Sequence, residues 1–267
     1  MVYDDFYGIM MQNVRRGFLK RNTLVLIVLL STFFLHAEPQ ENYAFLSRIN
    51  RLEHKVLLFT NNYLLGQKFQ DSARNRAKMQ KAFKQYDLVM RQTAIDMKGA
   101  DQHKLLTRFI DTKNRMNDLL SKPVALEADK DIVVLSQQLK EEIERVSQAK
   151  VMALSPRQRV LFSLMTMEVL LAEMTQHYFL YSTDNFSTPG PALMQAMMKS
   201  FERNIQICSE YPFWAAKEKA SGTRIEQTWK VLKKYLTKPG LDLIIELGAS
   251  HLETLLENLR MLHERNG

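Results

Sequence analysis

Cysteine is almost missing from this chain: 267 residues hold one, Cys208. A lone thiol excludes an intrachain disulfide framework and any thiolate cluster around zinc or iron–sulfur. Glycine and proline are scarce too, at nine and seven, about half the usual share. Collagen-like, low-complexity and turn-rich all-β architectures are thereby excluded, and 46% hydrophobic residues with 25% charged exclude a disordered chain. No G-x-G-x-x-G or G-x-x-x-x-G-K-[ST] loop occurs, nor a G-x-S-x-G elbow, which removes the phosphate-cradling nucleotide folds and the elbow-type serine hydrolases. No Glu-x-x-His motif is present either, so a bundle di-metal centre is not expected, and only Glu173 with His177 approaches helical metal-ligand spacing. The fifteen methionines fall mostly on apolar stripes, where they read as core filler rather than copper ligands. The expectation is a protein that is not an enzyme and carries no cofactor.

What is present begins with an export signal. Arg15, Arg16, Lys20 and Arg21 precede Leu24 to Leu35, an apolar run broken only by Ser31 and Thr32, and no charge falls between Arg21 and Glu38. The run is shorter than the ~20 residues of a spanning helix, and Ala37 supplies a small residue for signal peptidase. Residues 1–37 are therefore read as a cleaved signal peptide of a periplasmic protein; the alternative is an inner-membrane anchor through residues 22–37. Arg15-Arg16-Gly17-Phe18-Leu19-Lys20 also resembles the twin-arginine motif, so the general and twin-arginine routes both stay open, with Met10 and Met11 as alternative starts. Removing the four basic and two acidic residues of this segment leaves 33 basic against 27 acidic residues, evenly spread. Such a surface lacks the concentrated basic stripe of a nucleic-acid binder. Cys208, without a partner in an oxidising compartment, sits in a core phase and reads as a small buried hydrophobe.

The remainder repeats one rhythm. Phe45, Ile49, Leu52, Val56, Phe59 and Tyr63 recur at steps of four and three, the stripe of a helix over about 43–69. Met79 to Met97, Leu105 to Leu119 and Ile132 to Val146 continue it, with breaks at Gly99 and Lys122-Pro123. Ser155-Pro156 reads as an N-cap followed by proline at the first helical position. It opens a fifth helix through Tyr178, after which Ser187 to Pro191 form the densest loop signal. Met194 to Cys208, Ile225 to Leu236 and Leu241 to Leu262 give three more helices, with Gly248 in phase for a close helix contact. Leu120-Ser121-Lys122-Pro123 returns as Leu236-Thr237-Lys238-Pro239, and Met79-Gln80 as Met194-Gln195, at offsets of 116 and 115. The expectation is an all-α chain of two tandem up-and-down four-helix units, 43–150 and 155–266, separable near residues 150–155.

The fifth helix opens with Arg157-Gln158-Arg159. Two arginines in a first turn oppose the helix macrodipole unless something negative lies near, either an anionic ligand or an acidic neighbour. This stretch, with Val160-Leu161, Ser163 and Met165, resembles the R-Q-R-M-L-S-Q-R-M signature of the N-terminal sensor domain of type IV pili methyl-accepting chemotaxis transducers (PilJ-type), related to nitrate/nitrite sensor domains. Arg48 to Leu57, continuing to Tyr63-Leu64-Leu65-Gly66, resembles a second copy in which Glu53-His54-Lys55 replaces R-Q-R. The resemblance implies a sensory-type binding module in which Arg157, Gln158 and Arg159 meet a small anion or the carboxylate of an envelope protein partner. A structural or assembly protein of the envelope, binding another protein through helical faces, is the rival reading.

Overall fold

A computed structural model of the chain describes residues 40–69, 73–97, 100–122, 129–182 and 191–266. The export segment, Gly99, Pro123 and the loop signal from Ser187 to Gly190 lie outside them. The described residues form eight helices and no strand, the all-α fold that the apolar stripes demand. In chain order they are α1 (40–68), α2 (Ala73–Asp96), α3 (Ala100–Ser121), α4 (Asp129–Met152), α5 (Pro156–Ser182), α6 (Pro191–Ser209), α7 (Ala216–Leu232) and α8 (Asp242–Arg265). One boundary differs from the sequence reading. The seventh helix ends at Leu232, not Leu236, because Lys234 and Tyr235 donate to carbonyls three residues back and tighten the chain into turns ahead of Lys238-Pro239-Gly240. Leu236 is buried nonetheless, and Gly240 adopts φ 78° to make the turn.

Local chemistry sets the ends. Pro156 occupies the first position of α5, the Gln158 N–H donates to Ser155 Oγ at 3.3 Å, and the Ser155 N–H donates to Gln158 Oε1 at 2.9 Å, a reciprocal capping box. At the far end of α5 the Tyr178 hydroxyl donates to the Lys238 carbonyl at 2.8 Å and accepts from the Leu241 N–H at 2.7 Å, tying this helix to the α7–α8 turn.

Two apolar clusters fill the interior. One gathers Phe59, Tyr63, Tyr86, Phe109 and Met116 with their neighbours on α1 to α4. The other gathers Leu164, Tyr178, Phe201, Trp229 and Leu252 with their neighbours on α5 to α8, and includes Leu64 and Leu65 of α1. No side chain between Tyr43 and Gln67 of α1, or between Val160 and Leu180 of α5, is exposed. Over these stretches neither helix presents an exposed face. Leu57 packs on Val169 and Ala172, Asn61 Nδ2 donates to the Ala172 carbonyl at 2.9 Å, and Leu154 joins Phe45 in the first cluster, so α1 and α5 run parallel. Helix α8 runs antiparallel to both, since Tyr43, His54 and Lys68 meet Glu264, Glu253 and Asp242 in reverse order.

Residues 115 apart in α1 and α5 share environments. Thr60 and Thr175 are both buried, and each donates to the carbonyl four residues back at 2.8 Å. Tyr63 with Tyr178, Ile49 with Leu164, and Glu53 with Glu168 are likewise all buried. This register sets Glu53-His54-Lys55 against 168–170, not against Arg157-Gln158-Arg159. Gly248 makes the close contact its phase predicts: an added Cβ would lie 2.8 Å from Leu232 Cδ1 of α7. Cys208 is buried and free.

Candidate functional site

The three residues singled out from sequence stand at the N-terminus of α5, and the structure gives each a backbone or capping partner. Arg157 Nη2 donates to the His263 carbonyl at 2.6 Å, in the last turn of antiparallel α8, where the macrodipole is negative. Arg159 Nε donates to the Leu154 carbonyl at 3.0 Å, just past the end of α4. Gln158 closes the capping box. The negative partners that two first-turn arginines require are thus carbonyls at the C-terminal ends of neighbouring helices, and the two guanidinium groups turn to different helices.

Behind Arg157, His263 Nδ1 lies 3.0 Å from Glu218 Oε1, and the other Glu218 oxygen accepts the Ala215 N–H at 2.6 Å. Trp214 leans on the imidazole at 4.5 Å between ring centroids. This buried group joins the start of α7 to the end of α8.

A different set of polar groups lies along the enclosed faces of α1 and α5. Glu53 and Glu168, one on each helix, are buried at 8% and 6% exposure. Burial, then the Glu173 carboxylate, pushes the Glu53 carboxyl up to about 8 against the opposing charge of Lys140. Burial likewise carries Glu168 up to about 7, although Arg260 Nε donates to it at 3.4 Å. His54, also buried, has its imidazole held well below the usual range by burial, then by Lys55 and Arg260, and its Nε2 sits 3.3 Å from Glu253 Oε1. On the α4 side, Lys140 Nζ donates to Glu173 Oε1 at 2.7 Å, while His177 Nε2 stays 4.0 Å from that oxygen. The one pair at metal-ligand spacing is therefore engaged by a lysine, and among the described residues no group of three His, Cys, Asp or Glu is placed to hold a metal.

Of these groups, His54 and Glu168 border a cavity of about 330 Å³ between α1, α2, α5 and α8. Its walls separate by sign. Lys55 and Lys81 stand on α1 and α2, whereas Glu168, Glu253 and Glu257 stand on α5 and α8. Lys78 and Glu246, also on the wall, pair with each other. Asn61 reaches this cavity at 5% exposure; its Nδ2 is spent on Ala172, and its Oδ1 has no hydrogen-bond partner. A buried acceptor left without a donor costs about 1–3 kcal/mol. Walls of this kind suit the capture of a polar molecule.

From sequence, Glu53-His54-Lys55 stands only as the replacement of R-Q-R, and Glu168 and Asn61 are given no role, so this constellation is missed. The available signal was α5 itself: its apolar residues run round the whole helix, so an acid such as Glu168 within it has no route to solvent. No protein-family model, characterised protein or solved structure matches the chain.

Proposed function

We propose that the chain is a non-enzymatic binding module of sensory type, exported to the periplasm, whose ligand is a small polar molecule held between α1, α2, α5 and α8. The observation that carries this reading is the polar cavity with the unpartnered Asn61 Oδ1 on its wall. Ligand sites between helices of a bundle take this form, concave and with a few convergent polar groups. The resemblance to PilJ-type sensor domains supports a sensory module, but Arg157, Gln158 and Arg159, the residues it singles out, do not line this cavity; of the paired buried glutamates Glu53 and Glu168, Glu168 does.

Native mass spectrometry of the chain recovered from its own cells without dialysis tests the reading. A bound small molecule is expected, and Ser250→Phe, a substitution at an exposed residue on the cavity rim, should abolish it. A bare chain, or a bound species indifferent to that substitution, overturns it.

A second reading has its own observation. Leu243, Ile244 and Leu247 of α8 are exposed at 53%, 46% and 62%, and an apolar face of this kind favours a protein partner in the envelope. Cross-linking in intact cells separates the two: partner capture lost in Leu247→Lys supports this second reading.

A further inference from the structure

The cavity carries more information than its existence. An anion placed against Asn61 Oδ1 and Glu253 would meet acceptors and negative charge, and His54 beside them is held neutral by burial. A simple amine would satisfy those groups and leave Lys55 and Lys81 without a counter-charge from the ligand. Only a molecule with charges of both signs answers both walls. A volume of about 330 Å³ is large enough for a compound of amino-acid size.

We propose that the ligand is a small zwitterion of the amino-acid class, its ammonium turned to Asn61 Oδ1 and the Glu253 carboxylate, its carboxylate turned to Lys55 and Lys81. This inference rests on the cavity reading above and narrows it. Burial raises the Glu253 carboxyl against the pull of Lys55, Lys81 and Lys78, so an arriving ammonium adds to the positive charge that favours the ionised carboxylate. At that end of the cavity Glu246 is already engaged, by both Lys78 and Arg74.

The experiment uses the full chain in three arms. Thermal shift followed by calorimetric titration is run with the twenty common L-amino acids together with β-alanine and 4-aminobutyrate. Parallel arms contain butylamine and ethanolamine, and nitrate, nitrite and succinate. An amino acid should bind, and its decarboxylated and deaminated analogues should each bind about tenfold or more weakly, the loss expected for one charge-assisted contact. Lys81→Gln, at an exposed position, should weaken the amino acid and leave its decarboxylated analogue unchanged. Binding confined to the amines or to the anions, and blocked by Ser250→Phe, overturns the zwitterion and leaves the cavity standing. Binding in no arm, or binding indifferent to Ser250→Phe, overturns the cavity reading together with this one.

Discussion

Arg157 is half-buried and spends its guanidinium on a carbonyl at the end of α8, whereas the exposed Arg159 turns back to the carbonyl that precedes its own helix. Their roles in stability should differ accordingly. Arg157→Ala is expected to cost about 1–2 kcal/mol in urea unfolding, the lower part of the range for a charge-assisted bond because solvent screens it, and Arg159→Ala less than about 1 kcal/mol. Equal losses would mean that the α5–α8 junction contributes nothing special. Glu53 gives a second residue-level expectation. Its folded carboxyl titrates at about 8, facing Glu173 of α5 and Lys140 and Glu144 of α4, whereas in the unfolded chain it titrates near the ordinary 4.5. Between those values the folded state holds the extra proton, so stability falls as pH rises. His54 acts oppositely, because its depressed folded value removes stability as pH falls through about 6.5. The two effects offset each other on the acid side, and above about pH 6.5 Glu53 acts without that opposition. The melting temperature should therefore decline from about pH 6.5 to 8.5, and Glu53→Gln should flatten most of that decline. An unchanged slope in the variant would show that Glu53 is already ionised in the folded protein.

Helices α7 and α8 each carry a glycine in their interior, and the two should respond in opposite directions to the same substitution. Gly222 has open space where a Cβ would stand, with no heavy atom within 4 Å. Gly222→Ala should stabilise by about 0.5–1 kcal/mol through helix propensity alone. At Gly248 the same gain meets Leu232 Cδ1 at 2.8 Å, and Leu232 is itself buried in the second cluster. Gly248→Ala should therefore give no net gain, and Gly248→Val should cost about 1–3 kcal/mol by overpacking; thermal melts of the three variants decide the matter. Gly248 also marks how far sequence reaches at this scale. Its phase on α8 is legible because three- and four-residue steps fix which face is apolar. The enclosure of α1 and α5 is not legible from phase, since a stripe says that a face is covered and not by which helix. For α5 even the stripe fails, because apolar residues surround it. The partners of Arg157 and Arg159 escape the sequence for another reason: a carbonyl acceptor has no residue identity.

The two sets of four helices are not equally self-sufficient. In the second, α5 contacts α6 and α8, and α7 contacts α6 and α8, so the ring closes on itself. Its interior holds the Phe201–Trp229 stack at 4.3 Å, and the Glu218–His263 contact joins α7 to α8. From outside that set, the second cluster takes only Leu64 and Leu65 of α1. The first set depends more on its neighbour. Leu57, Leu64 and Leu65 project from α1 into the other half, and α8 supplies ion partners along α1 at Glu253 and Asp242. Uncovering three buried leucines forfeits about 1.5–3 kcal/mol each, a sum comparable to the whole stability of an ordinary domain. Separation at residues 150–155 should therefore be asymmetric. Residues 153–267 alone should remain helical and unfold in one cooperative urea transition, at lower stability than the whole chain. Residues 38–152 alone should show helix content without a cooperative transition and should gain one when mixed with the other fragment. If 38–152 unfolds cooperatively by itself, within about 1 kcal/mol of the intact chain, then the α1–α5 interface contributes little and the two units are as independent as the sequence repeat alone suggests.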